Sequence, residues 1–127
     1  MKKILKKEFF IFIIFGISYF FLEIIYRGHS HWTMILLGGL VSVLIGLINE
    51  ITPKMEIVCQ MLLGTIIITV LEFIFGYILN LKLGLGIWDY SSLPFNIMGQ
   101  ICLSFSFLWF ILSYFIIILD DILRDFF

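Results

Sequence analysis

The sequence predicts an all-α polytopic membrane protein: a four-transmembrane-helix bundle with an interfacial or re-entrant segment between helices 3 and 4. Three observations predict it. The 127-residue chain is 62% hydrophobic and only 13% charged, against about 25% charged in an average soluble domain. Its mean hydropathy is +1.17, so hydrocarbon rather than water suits most of its surface. Four apolar runs each approach the ~20 residues that cross a ~30 Å hydrocarbon core, and the charges gather at their ends. The expectation is a single membrane domain over residues 1–127.

The first helix is expected over about 9–26, after Lys2, Lys3, Lys6 and Lys7. Glu23 and Arg27 stand where a leader would carry a small-residue cleavage site, so the run reads as a retained helix. The second helix covers about 32–49, after a tight turn at Arg27, Gly28, His29, Ser30 and His31. The third covers about 57–80, with Pro53 breaking the chain before it. The link over 81–96 holds Gly84, Gly86 and Pro94, which oppose a continuous helix, but is too apolar for a solvated loop. It is expected along the interface or folded over the bundle mouth, with Trp88 and Tyr90 at headgroup depth. The fourth helix covers about 99–119. Helices are the expected spanning element because open strands would leave backbone groups unpaired in lipid.

Four spans put the N-terminus, the Pro53 link and the C-terminus on one side. That side carries Lys2, Lys3, Lys6, Lys7, Lys54 and Arg124, and the other only Arg27 and Lys82. This bias places both termini in the cytoplasm of a bacterial cell, with the chain multi-pass in its membrane. The acidic residues Asp120, Asp121 and Asp125 then form a tail, and acidic groups weigh little in the rule. A net charge of −1 gives no case for nucleic acid. Cys59 and Cys102 are expected near opposite faces, as unpaired core residues. No phosphate-loop pattern and no nucleophile arrangement is present, and no cofactor is expected. His29 and His31 are two residues apart, but a turn histidine usually bonds backbone or water, so no metal site is assigned.

Small and polar residues recur on one face of each run. They are Gly16, Tyr19, Glu23 and Arg27 on the first, and Gly38, Ser42 and Gly46 on the second. The third carries Thr65, Thr69, Glu72 and Gly76, the fourth Cys102, Ser106, Trp109 and Ser113. Spacings of three and four share a helix face. Close helix packing explains such stripes, and a groove lining is the alternative.

Glu72 is the outstanding residue. It falls about 12 Å inside the third run at 1.5 Å per residue. A charged carboxylate at such depth costs about 3 kcal/mol on insertion scales. It is therefore expected to face the interior, either as a proton, cation or ligand group or as a protonated helix-to-helix bond. Glu23 and Arg27 have ion-pair spacing, and Glu23 alternatively shares a chamber with Glu72. Asp89, between Trp88 and Tyr90, is a turn former or part of a lid.

The run from Ile87 to Leu103 contains Trp88-Asp89-Tyr90-Ser91, Pro94-Phe95-Asn96 and Gly99-Gln100-Ile101-Cys102. Together with Ser106 and Trp109 it resembles the bacterial ABC-transporter type IV membrane family. Leu71-Glu72-Phe73, Gly76 and Asn80 are similar to the preceding helix of that family, and Ser30-His31-Trp32-Thr33 to its first turn. Phe110 departs from the glycine expected after the tryptophan. The resemblance implies a permease-like protein and adds weight to Glu72, Trp88, Asp89, Tyr90 and Asn96 as a unit.

Three functions remain open at this point. The first is a transporter or permease component for a small solute or ion. Its outer-half cavity would use Glu72, Glu23, Arg27, Asp89, Trp88, Tyr90, Asn96, Ser106 and Trp109, and a homo-oligomer or ATPase partner is expected. The second is a non-transporting accessory or sensing subunit. The third is an intramembrane enzyme acting on lipid, with Glu72, Asp89 and a histidine as acid–base groups.

Overall fold

The computed structural model describes residues 2–52 and 54–126, with the side chains of residues 6–52 and 54–126. The expectation for Pro53, and the side chains of Lys2 and Lys3, lie outside the described residues. Four helices among them are long and apolar enough to cross a membrane. They are α1 (Lys2–Arg27), α2 (Thr33–Ile51), α3 (Ile57–Gly76) and α4 (Leu103–Asp125). α3 runs on through a π-helical turn, Tyr77–Lys82. A two-stranded ribbon precedes α4, with β1 (Asn96–Ile97) antiparallel to β2 (Ile101–Cys102).

Both boundaries of the fourth helix correct the sequence reading, and α1 begins at Lys2 rather than at about 9. The fourth helix was expected over 99–119 and instead runs from Leu103 to Asp125. Residues 99–100 belong to the turn and 101–102 to the second strand of the ribbon, with Asn96 paired to Cys102 and Ile97 to Ile101. At the far end Asp120 continues the helix and is fully buried rather than part of a tail. Its Oδ2 accepts a hydrogen bond from Arg124 Nε at 2.7 Å, and neutralisation one turn away lets the apolar run extend.

The bundle has two ends, one carrying the 83–102 loop and one carrying the chain termini. α1 packs along α2, and α3 along α4. α2 touches both α3 and α4, while α1 meets α4 only weakly. Glycines permit these approaches. A Cβ at Gly39 would lie 2.7 Å from the Phe12 carbonyl oxygen, and one at Gly64 would lie 2.8 Å from Ser113 Oγ. Small residues at crossings are the usual solution where lipid offers no hydrophobic drive between helices. The lipid-facing sides are paved with exposed Phe, Ile and Leu, among them Phe21, Ile25, Leu62, Ile66, Phe107 and Phe115.

At the terminal end a polar network joins all four helices. Arg124 donates from both terminal nitrogens to the Glu8 carboxylate, and Glu50 lies 3.9 Å from its Nε. Asn49 Nδ2 donates to Asp121 Oδ1 at 2.8 Å, and Gln60 Nε2 donates to Asn49 Oδ1 at 3.3 Å. The charges need this pairing because the desolvation of a lone buried ion costs several kcal/mol.

Candidate functional site

At the loop end the 83–102 segment folds back over the bundle mouth, and the π-helical turn aims it there. The wider turn carries the chain to Leu83, whose N–H bonds the Ile78 carbonyl at 2.9 Å. It also presents Asn80 inward. Asn80 Oδ1 accepts from the Ile87 N–H at 2.6 Å, and its Nδ2 donates to Gln100 Oε1 at 2.8 Å. Gln100 is 2% exposed, and its carbonyl accepts the Trp88 indole N–H at 3.0 Å. Gly76 makes room, since a Cβ there would fall 3.0 Å from both Gln100 Cβ and Trp88 Cζ2. Trp88 is therefore buried against α3.

Asn96 organises the loop itself. Its Oδ1 accepts from the Gly99 N–H at 3.0 Å, and its Nδ2 donates to the Leu93 carbonyl at 2.8 Å. Phe95 and Met98 flank it with left-handed φ of 53° and 54°. That conformation is rare for non-glycine residues. Asp89 is exposed, and its Oδ1 accepts from the Ser91 N–H at 2.9 Å. The same bond holds its carboxyl below the ordinary value of 3.8. Asp89 is thus a turn former at the rim.

This lid completes a pocket around Glu72, which is 4% exposed. Glu72 Oε1 accepts from the Trp109 indole N–H at 3.2 Å, and Oε2 from the Tyr90 hydroxyl at 3.0 Å. Both donors are neutral, and no basic side chain pairs with Glu72 among the described residues. Glu23 lies one helix away with Arg27 bonded to it at 2.7 Å. Arg27 also donates to the Ile87 carbonyl and so ties α1 to the lid. Tyr90 stacks on Phe105 with centroids 4.6 Å apart and planes at 11°. Phe105 in turn meets Trp109 at 6.0 Å, and Trp109 meets Tyr19 edge-on at 6.5 Å.

Two cavities share this site. The first, of about 370 Å³, is lined by Tyr19, Glu23, Arg27, Glu72, Trp88, Asp89, Tyr90, Phe105 and Trp109 among others. The second, of about 360 Å³, runs between α1 and α4 towards Leu123, and Glu72 is its charged lining residue. Both volumes fall within the ~300–1,000 Å³ of small-molecule pockets. The cavities have Tyr19, Leu22, Leu37, Glu72, Trp109 and Leu112 in common.

Residues 8–125 match the model of a family described as "Putative ABC-transporter type IV". The chain belongs to that family. The ABC-transporter type IV match spans every element that builds the pocket, from α1 through the lid to α4. The four apolar helices and the family together make this an ABC-transporter-related membrane protein. No curated protein and no solved structure matches the chain significantly.

Seven of the nine residues singled out from the sequence line the first cavity: Glu72, Glu23, Arg27, Trp88, Asp89, Tyr90 and Trp109. Asn96 and Ser106 do not. Asn96 is spent within the lid, and Ser106 donates to the carbonyl of Cys102, the β2 residue just before α4, at 3.1 Å. His31 Nδ1 pairs with Thr33 Oγ1 at 2.7 Å at the start of α2. Tyr19 and Phe105, which also line the cavity, and Asn80 and Gln100, which hold the lid, were not assigned to the site by the sequence reading. Tyr19 carried a signal through its place on the Gly16–Arg27 stripe, and Asn80 and Gln100 through the family-like runs that contain them, whereas Phe105 carried none.

Proposed function

We propose that the chain is the membrane-embedded component of a transporter for a small solute or ion. One membrane domain carries the site, and both termini lie in the cytoplasm. The observation that supports it most is Glu72: a carboxyl group inside an apolar helix, lining a cavity, with only neutral donors beside it. Intramembrane ionisable groups are costly and mark substrate or ion pathways. Four helices make a thin bundle with a weak α1–α4 seam, which favours a second copy or an ATPase subunit as partner. The chain's lysine and arginine bias supports the cytoplasmic termini.

The experiment compares membrane vesicles holding the wild-type chain, the Glu72→Gln variant, or neither. Uptake of labelled amino acids, inorganic cations and organic cations is measured across the set. The expected result is one solute class carried by the wild type and lost in the variant, at equal protein level. Identical uptake of every solute in all three vesicle types refutes the transport reading.

One observation favours a second reading, a non-transporting accessory or sensing subunit. Trp109 and Tyr90 between them give each Glu72 oxygen a donor, so the carboxyl also ties α3, α4 and the lid together. On that reading Glu72→Gln lowers thermal stability and changes no flux.

A further inference from the structure

The two cavities differ in character, and their junction is Glu72. Three carboxyl groups line the first, Glu23, Glu72 and Asp89, against the single guanidinium of Arg27. Arg27 is already committed to Glu23 and the Ile87 carbonyl. The field in the chamber therefore favours a cation and disfavours an anion. A hard metal ion needs six or more oxygen ligands. No group of three or more His, Cys, Asp or Glu able to hold a metal occurs among the described residues. The chamber offers instead a connected aromatic array, Tyr19–Trp109–Phe105–Tyr90, with centroid separations of 6.5, 6.0 and 4.6 Å. Aromatic rings lining a chamber beside a carboxylate suit an organic ammonium, which ring faces left free can hold by cation–π attraction without stripping a metal-like hydration shell.

The second cavity supplies the rest of the ligand. It continues from Glu72 along the α1–α4 seam, where Phe15, Val41, Ile68, Phe115 and Ile116 are among its walls. A purely polar ammonium would leave this cleft unused.

We infer that the site binds an amphiphilic organic cation, an ammonium head on an apolar tail. The head lies beside Glu72 within the aromatic array, and the tail lies in the α1–α4 cleft. This deepens the transport reading by naming the ligand class, and the binding assay stands apart from the uptake assay.

The test uses the full chain in phosphatidylglycerol nanodiscs, with empty discs as the blank. Trp32→Phe removes the exposed indole outside both cavities, so emission reports on Trp88 and Trp109. Dodecyltrimethylammonium is titrated against tetramethylammonium, which lacks the tail, and dodecyl maltoside, which lacks the charge. The expected result is a saturable emission change for dodecyltrimethylammonium, at least tenfold weaker for either control. Glu72→Gln is expected to weaken it at least tenfold. Phe105→Leu, which keeps Glu72, is expected to weaken it several-fold, and this second variant serves if Glu72→Gln does not fold. Equal responses to the cationic and uncharged amphiphiles, or affinity unaltered in every folded variant, overturn the inference. Replacing part of the lipid by phosphatidylethanolamine separates two sources of the same chemistry. Competition assigns the head site to a bilayer amine, and its absence assigns it to a soluble one. Binding with no uptake overturns transport alone, and uptake without amphiphile binding overturns the ligand class alone.

Discussion

Tyr90→Phe isolates one bond. The hydroxyl donates to Glu72 Oε2 at 3.0 Å, while the ring stacks on Phe105 at 4.6 Å. Phenylalanine keeps the stack and deletes only the donor. A hydrogen bond to a charged acceptor contributes ~1.5–3 kcal/mol, whereas bonds between membrane helices average about 0.6 and reach about 1.7 kcal/mol. Tyr90 comes from the lid rather than a spanning helix, and unfolding returns it to water. The expected coupling between Tyr90→Phe and Glu72→Leu, which leaves the hydroxyl no acceptor, is therefore about 1–2 kcal/mol, between those two ranges. A double-mutant cycle on stability in nanodiscs, read by steric trapping, measures it. Coupling within the ~0.3–0.5 kcal/mol by which independent sites add would refute the bond. The pH dependence has a definite sign. Burial, and then the negative charge of Glu72, push the Tyr90 hydroxyl well above its ordinary value of 10.0. The unfolded chain loses this proton first, so the stabilisation is complete below pH 10 and fades as pH rises beyond it.

Three further outcomes follow from the same geometry. Gly76→Ala forces a methyl group against Gln100 and Trp88 and is expected to cost ~1–3 kcal/mol, with Trp88 emission shifted to the red; unshifted emission counts against the docked lid. Arg124→Ala leaves the buried Asp120 without its cation and is expected to destabilise by ~3–5 kcal/mol, measured by thermal unfolding, whereas Arg124→Lys retains part of that. Asp89, held low by the Ser91 N–H, stabilises its turn above pH 3.8 and loses that contribution as pH falls through its depressed value. Proteolysis at the lid is expected to rise only in strong acid, and cleavage that rises already near neutral pH contradicts this.

The spans were legible because each is a single run whose apolarity is a property of composition. Glu72 was legible for the same reason, as a charge inside such a run. The interior face of α3 was read less well. Its buried residues are Gln60, Gly64, Ile68, Glu72 and Gly76, at strict spacings of four. Thr65 shares the sequence stripe of Glu72 and Gly76 but is a poor marker of that face. Its hydroxyl donates to the Met61 carbonyl at 2.8 Å, so it needs no interior partner and says little about facing. The lid was visible as an irregular apolar segment able to fold over the bundle mouth, but not in its contacts. What holds it are bonds between distant residues, such as Tyr90 to Glu72 and Asn80 to Gln100, which no periodicity encodes. The Glu8–Arg124 pair, 116 residues apart, was hidden likewise, and without it Asp120 read as a tail.

The most direct measurement concerns solvent at Glu72. The native chain in nanodiscs is treated with a water-soluble carbodiimide plus glycine ethyl ester, or with a lipid-soluble carbodiimide, and Glu72 modification is quantified by mass spectrometry. A carboxyl group lining a cavity beneath the lid is expected to react with the hydrophilic reagent, and faster in Tyr90→Phe. Reaction with the lipid-soluble reagent alone, or with neither, would contradict a water-reached site at the heart of this bundle.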